Sequence, residues 1–238
     1  MRIALIGYGK MGQTIEKIAL SKNHQISLVI DHHNLSDLKL IHPDNTDVAI
    51  EFTQPESAFE NLRYCMEQQV PAVSGTTGWL DRRSELEAIC LQNQSAFFYA
   101  SNYSIGVNIF FKVNQFLAKL MRQQSNYSLS LEEIHHTEKK DAPSGTAITL
   151  AQDIMFQMPH KTSWINEATD SKDLIGIISK RESHVPGTHT VKYACQIDEI
   201  EIKHTAYSRE GFAQGAVLAA EWLKDKTGVF GMDDMLSF

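Results

Sequence analysis

Arg2-Ile3-Ala4-Leu5-Ile6-Gly7-Tyr8-Gly9-Lys10-Met11-Gly12 is the stretch from which the fold can be read. A short, mostly apolar run ends in glycine, which predicts a buried strand. Gly7, Gly9 and Gly12 then form GxGxxG, immediately before a helical pattern that places Met11, Ile15, Ile18 and Ala19 on one face. In this context the first glycine permits a tight turn, the second lets a pyrophosphate approach the backbone, and the third lets helix and strand pack closely. Free N–H groups and a partial positive charge at the helix start suit phosphate, with Lys10 and Met11 in the same turn. Asp31 closes a second strand over 25–30, 19 residues beyond Gly12. A carboxylate there accepts hydrogen bonds from an adenosine ribose. It favours NADH, whereas Lys10, His32 and His33 offset the repulsion of an NADPH 2′-phosphate, so both cofactors stay open.

Outward from this motif the pattern repeats. A third strand spans 47–52, and a helix follows Pro55 with Ala58, Leu62 and Cys65 on one stripe. A fourth strand, 70–74, runs into Gly75-Thr76-Thr77-Gly78. A helix over 81–92 leads to a fifth strand, 96–100, and then Ser101-Asn102-Tyr103. Alternating strands and helices predict a Rossmann-like, doubly wound parallel sheet. Ligands in such sheets lie beyond the carboxyl ends of the strands, where Gly75, Thr76, Thr77, Ala100, Ser101, Asn102 and Tyr103 fall. Those positions suit a nicotinamide carboxamide or, equally, plain loops. After residue 103 the rhythm changes. A long helix covers 105–121, a strand 127–134 and a helix 146–158. Strands over 174–180, 189–195 and 199–205 are close enough to be antiparallel, and an alanine-rich helix covers 211–224. The expectation is α/β: a dinucleotide-binding domain of residues 1–103 and 212–238, plus an α+β domain over 104–211 with a mostly antiparallel sheet.

Composition narrows the function. The 238 residues are 42% hydrophobic and 21% charged, as in globular proteins. A net charge of −7 gives no global attraction to nucleic acid or anionic membrane. No run reaches the ~18 apolar residues of a membrane span, and the start does not read as a signal peptide. Three scattered cysteines, Cys65, Cys90 and Cys195, read as reduced thiols in a cytoplasmic protein.

The most informative later stretch runs Glu132-Glu133-Ile134-His135-His136-Thr137-Glu138-Lys139-Lys140-Asp141-Ala142-Pro143-Ser144-Gly145-Thr146-Ala147. Two histidines end a strand, and Ser144, Gly145 and Thr146 begin a helix whose N–H groups suit a carboxylate. Adjacent strand residues face opposite ways, so His135 and His136 do not form a metal pair. With no third ligand at suitable spacing, no metal is expected. A histidine donates a proton near neutral pH. The stretch therefore reads as a cationic pocket for a small acidic substrate. It also reads as a basic surface loop followed by an ordinary helix cap at Ser144.

The run from His135 to Ala147 resembles the signature of the 4-hydroxy-tetrahydrodipicolinate (dihydrodipicolinate) reductase family. The resemblance extends to GxGxxG, to 75–78, to 101–108, to 204–209 and to 212–216. It implies an NADH- or NADPH-dependent enzyme of diaminopimelate and lysine biosynthesis that reduces a small cyclic dicarboxylate with loss of water. It implies that His135 and Lys139 are catalytic and supply a proton, and that His136, Gly145 and Thr146, with Ser144, bind the substrate. It implies that 75–77 and 100–103 line the cofactor and that the second domain joins a homotetramer. The chain departs from the family at Lys10, where many members have arginine, and one residue is missing from the first glycine loop. It also departs at Arg181–His189, where two glycines and a glutamate are replaced.

Overall fold

The computed structural model describes residues 1–208 and 210–238; Arg209, in the 204–209 stretch, lies outside the described residues. In chain order the elements begin with β1 (Arg2–Ile6), α1 (Lys10–Ser21), β2 (Gln25–Ile30), β3 (Val48–Glu51), α2 (Pro55–Glu67), β4 (Ala72–Ser74), α3 (Arg83–Gln92) and β5 (Ala96–Tyr99). They continue with α4 (Ile105–Met121), β6 (Ser128–His135), α5 (Gly145–Gln157), β7 (Ser163–Ile165), β8 (Leu174–Arg181), β9 (Gly187–Ala194) and β10 (Glu199–Ala206). The last are α6 (Glu210–Leu223), β11 (Gly228–Phe230) and α7 (Met232–Leu236). The chain divides into two compact units, Met1–Ile105 with Glu210–Phe238, and Gly106–Arg209.

The first unit holds a six-stranded sheet in the order β11-β5-β4-β3-β1-β2, with every pairing parallel. It is the doubly wound sheet that the motif order predicts. Successive side chains of β1 feed two cores, as a period of two requires. Ile3 and Leu5 pack with Ile15 and Ala19 of α1 and with Ala216 and Ala220 of α6. Ala4 and Ile6 pack with Leu62 of α2 and Leu86 of α3. Pro55 starts α2, where its missing N–H leaves no bond unmade. Alanine and glycine let α6 lie close to its neighbours: a Cβ added at Gly215 would come within 1.8 Å of the Tyr103 carbonyl oxygen. Strand order reverses between β1 and β3, so the crevice for a ligand opens beyond Ile6 and Glu51.

The second unit holds a five-stranded sheet, β10-β9-β6-β8-β7. The antiparallel expectation covers β6, β9 and β10. β8 pairs parallel to β6, and β7 parallel to β8, which makes the sheet mixed. The cause is α5, which carries the chain back across the sheet before β7 and β8 begin. Leu131, Ile177, Val191 and Tyr193 form a core with Leu150 and Ile154 of α5. β7, β11 and α7 were not predicted, because three to five residues are too few to display a period.

Candidate active site

At the carboxyl edge of the first sheet, Gly7 has φ +96°, and a Cβ there would come within 2.0 Å of the Phe52 carbonyl oxygen. Gly12 has no room either, since its Cβ would meet the Gly7 carbonyl oxygen at 2.2 Å. Gly9 differs: nothing lies within 4 Å of a Cβ built on it. It is the N-cap of α1, with no side-chain cap and no acidic residue in the first turn. The first N–H groups of α1 therefore open onto free space with no internal anion, which fits a dinucleotide pyrophosphate. Lys10 is exposed and Met11 half-buried at this turn. Asp31 follows β2, and its Oδ1 accepts the His33 N–H at 2.7 Å.

Glu51, fully buried at the end of β3, organises the next part of this edge. Its Oε2 accepts the Ser74 hydroxyl at 2.6 Å. Its Oε1 accepts the Thr76 hydroxyl at 2.8 Å, the Thr53 N–H at 3.0 Å and the Thr53 hydroxyl. Thr76 is thus buried and fixed, while Thr77 is exposed. Gly75 lies against Phe52, whose ring would stand 2.1 Å from an added Cβ. Ala100 is buried, Ser101 exposed and Asn102 half-buried. The Tyr103 side chain belongs to the core, its hydroxyl donating to the Ser74 carbonyl at 2.6 Å, so only its backbone borders the edge. Residue patterns pointed to Thr76 but not to Glu51.

In the second unit, Leu131, Glu133 and His135 alternate along β6 and face inward. An inward strand face that ends in ionisable groups marks chemistry rather than packing. His135 Nδ1 lies 3.0 Å from Glu133 Oε2, an ionic contact outside hydrogen-bond angles. Arg181, at the end of β8, donates from Nη1 and Nη2 to Glu133 Oε1 at 3.2 and 3.3 Å. The same guanidinium holds the loop after β6 through the Lys139 and Asp141 carbonyls, at 3.3 and 2.6 Å. Lys139 Nζ reaches both Asp141 carboxylate oxygens at 2.8 Å. His189, on β9, stands edge-on to His135 with ring centroids 5.0 Å apart, and its Nε2 lies 3.0 Å from Ser144 Oγ. Ser144 caps α5 by accepting the Ala147 N–H. Gly145 is exposed, Thr146 is half-buried, and the first turn of α5 holds no acid. His136, just past β6, keeps a buried Nδ1 that has no hydrogen-bond partner among the described residues. All six sequence-assigned residues of this site therefore fall on one continuous segment, from His135 at the end of β6, through His136, Lys139 and Ser144 on the loop, to Gly145 and Thr146 in the first turn of α5.

Burial opposes ionisation of Glu133. The close approach of His135, first among its neighbours, outweighs this and holds the carboxyl well below its usual range. Burial pushes His189 down to about 3, and the charge of His135 adds to the shift. Glu133, His135 and His189 place ligand atoms within 4.8 Å of one another, so the third group that sequence spacing did not show is supplied by β9. Glu133 Oε1 already accepts both guanidinium donors. Glu133, Arg181 and His189 were not assigned from sequence. The Glu-x-His alternation at 133–135 is the signal that marks the first; the other two come from strands distant in the chain. A cavity of about 540 Å³ lies elsewhere in this unit, lined by Met121, Tyr127, Met158, Lys161 and Tyr193, and contains none of these groups.

Comparison with known proteins bears on both units. Residues 1–103 match the family description "Dihydrodipicolinate reductase, N-terminus", and residues 106–236 match "Dihydrodipicolinate reductase, C-terminus". The chain is 53% identical over 241 residues to the 4-hydroxy-tetrahydrodipicolinate reductase of Christiangramia forsetii, covering 100% of this chain and 98% of that one. It is 32% identical to the enzyme of that name from Methanoregula boonei, covering 96% and 94%. Among solved structures it resembles the dipicolinate-bound dihydrodipicolinate reductase from Paenisporosarcina sp. TG-14, with TM-score 0.78, 24% identity and 98% of each chain covered. It also resembles the amine dehydrogenase of Mycobacterium smegmatis, with TM-score 0.60, 11% identity, and 96% and 94% covered. At these identities the structural likenesses speak to fold.

Proposed function

The chain belongs to the dihydrodipicolinate reductase family, and on that premise we propose that it reduces 4-hydroxy-tetrahydrodipicolinate to tetrahydrodipicolinate, with loss of water, in diaminopimelate and lysine biosynthesis. The observation that carries the reading is the inward-facing Glu133–His135 pair at the end of β6, joined through His189 and Ser144 to the open first turn of α5.

The cofactor is NADH or NADPH, held by Gly7, Gly9, Lys10, Met11 and Gly12 at the start of α1, with Asp31 toward the ribose. Gly75, Thr76, Thr77 and residues 100–103 take the nicotinamide end. When bound, it supplies the hydride. The substrate's carboxylates are met by the N–H groups of Gly145 and Thr146, the Ser144 cap, His136 and the Lys139 ammonium. Departure of the C4 hydroxyl as water leaves a conjugated ring, and one hydride at C4 and one proton at the neighbouring carbon complete the reduction. His135 or Lys139 supplies that proton. Glu133 acts through His135, fixing its ring so that Nε2 is the atom available for proton transfer. Arg181 donates to Glu133 Oε1 and also ties down the Lys139–Asp141 loop. The decisive assay follows reduced-nicotinamide absorbance while the substrate is generated by the preceding synthase. A fall that depends on that substrate supports the reading, and no fall with either cofactor rejects it.

We assign the enzyme to the cytoplasm. Among the described residues no helix is long and apolar enough to cross a membrane, and Cys65 and Cys90 are buried free thiols. We assign it a homotetrameric state through the second unit. There, α4 leaves Ile109, Val113, Phe116 and Leu120 exposed at helical spacing, an apolar stripe of the kind that marks association. Light scattering is expected to give four times the chain mass; a monomer mass in solution rejects the assignment.

A further inference from the structure

The proposed reaction leaves the cavity of the second unit unused. It lies where α4 and α5 end and β6 begins. Pro159 stops α5, because the residue before a proline is pushed out of helical geometry, and Met158 there has φ −123° and ψ 78°. Met121, the last residue of α4, and Met158 are both buried in the cavity wall, with half-buried Leu129 of β6 beside them. Methionine is unbranched and polarisable, so such a wall adapts to ligands of different shape. The volume, about 540 Å³, is that of a small-molecule pocket. Leu129 stands six residues before His135 on β6, which puts the cavity about 20 Å from the Glu133–His135 end of that strand.

Two polar groups in this wall lack a full set of partners. Tyr193 is 1% exposed, and among the described residues its hydroxyl has one hydrogen-bond contact, the Met158 thioether at 4.0 Å. A thioether is a weak acceptor, so the hydroxyl keeps its capacity for a stronger partner. Lys161 is half-buried and spends one of its three donors on the Leu174 carbonyl at 3.0 Å. Helix carboxyl ends attract cations, but Leu174 belongs to β8, so Lys161 is not a cap on α4 or α5. Burial pushes its pKa down against the opposing pull of Asp173, and an anion beside it would relieve that cost. Arg122 and Lys172 add positive charge at the exposed rim, against one lining acid, Asp170. In a chain of net charge −7 this is a local cationic concentration. We propose that the cavity is a second small-molecule site, which takes an amphipathic carboxylate. Its apolar body lies against Met121, Leu129 and Met158, its carboxylate meets the Lys161 ammonium, and the Tyr193 hydroxyl gains a polar partner.

The test titrates the full chain with para-(trifluoromethyl)phenylacetate, followed by fluorine NMR, beside its uncharged isostere para-(trifluoromethyl)phenylacetamide. The carboxylate is expected to bind about tenfold more tightly than the amide, the scale of one charge-assisted hydrogen bond. Lys161→Met is expected to bring the carboxylate down to the affinity of the amide, and Tyr193→Phe to weaken both about threefold. His136→Ala, at the proposed substrate site, is expected to change neither. Binding lost in His136→Ala and kept in Lys161→Met puts the probe in the substrate site and overturns the proposal. Equal affinity for the two probes overturns it too, as does no binding, the result expected if a second copy of this chain fills the space. A second readout leaves Lys161 and Tyr193 intact, should their variants not fold. With isotope-labelled methionine methyl groups, the carboxylate is expected to shift the signals of Met121 and Met158, assigned by Met121→Leu and Met158→Leu. Binding that leaves both signals in place overturns the proposal.

Discussion

His189 sits among groups that favour its neutral imidazole, and this has a measurable cost on acidification. Its folded pKa of about 3 lies far below the ~6.5 of a free histidine. The unfolded chain therefore takes up a proton that the folded chain refuses. The resulting stability is fully present above pH ~6.5 and is lost as pH falls toward 3, by up to ~1.4 kcal/mol per pH unit. Glu133, whose pKa is also depressed, adds a loss of the same sign at lower pH. Denaturant midpoints measured from pH 7 to 5 are expected to fall in wild type and to slope less in His189→Asn; equal slopes would show that His189 protonates freely in the fold. The neighbouring groups proposed as proton donors answer to a different measurement. His135→Ala and Lys139→Ala are each expected to lower kcat roughly 10²-fold or more, as loss of a general acid does. The residues proposed to carry the chemistry could be read from the stretch 135–146 because they are contiguous. That stretch did not show Arg181 or His189, which reach Glu133 and Ser144 only because β8 and β9 flank β6. Such pairings depend on register, which no local pattern encodes.

At the level of elements, α1 and α5 share a feature: each has an N-terminal turn without acids, which suits the anionic ligand proposed for it. Gly7 and Gly9 before α1 and Gly12 within its first turn separate folding from binding. Gly12→Ala places a methyl carbon 2.2 Å from the Gly7 carbonyl oxygen and is expected to lower the melting temperature and NADH affinity together. Gly9→Ala meets nothing in the protein, so it is expected to leave melting nearly unchanged while weakening NADH binding. Melting curves beside fluorescence titrations separate the two, and intact NADH affinity in Gly9→Ala would remove the pyrophosphate from that turn. Strands and helices of the first unit were legible because βαβ units repeat with clear periods. In the second unit α4, α5, β9 and β10 were equally clear. The parallel course of β8 was not, since direction follows from how α5 crosses the sheet rather than from the strand's own residues.

At the scale of the whole chain, the first unit is built from two separate segments, Met1–Ile105 and Glu210–Phe238. The second contributes β11, which pairs with β5, and α6, whose Ala213, Ala216, Val217 and Ala220 cover Ile3, Leu5, Val73 and Phe98. A chain ending before residue 210 is expected to lose NADH binding and the cooperative unfolding of that unit, read by fluorescence and circular dichroism; full affinity in that fragment would show that α6 is dispensable. The interruption also has a consequence during synthesis. As the nascent polypeptide leaves the ribosome, the Val73–Phe98 side of its nucleotide-binding half must wait, uncovered, while some hundred further residues are translated. Chaperone demand is therefore concentrated in that interval, and it ends only when the alanine-rich helix emerges to close the surface.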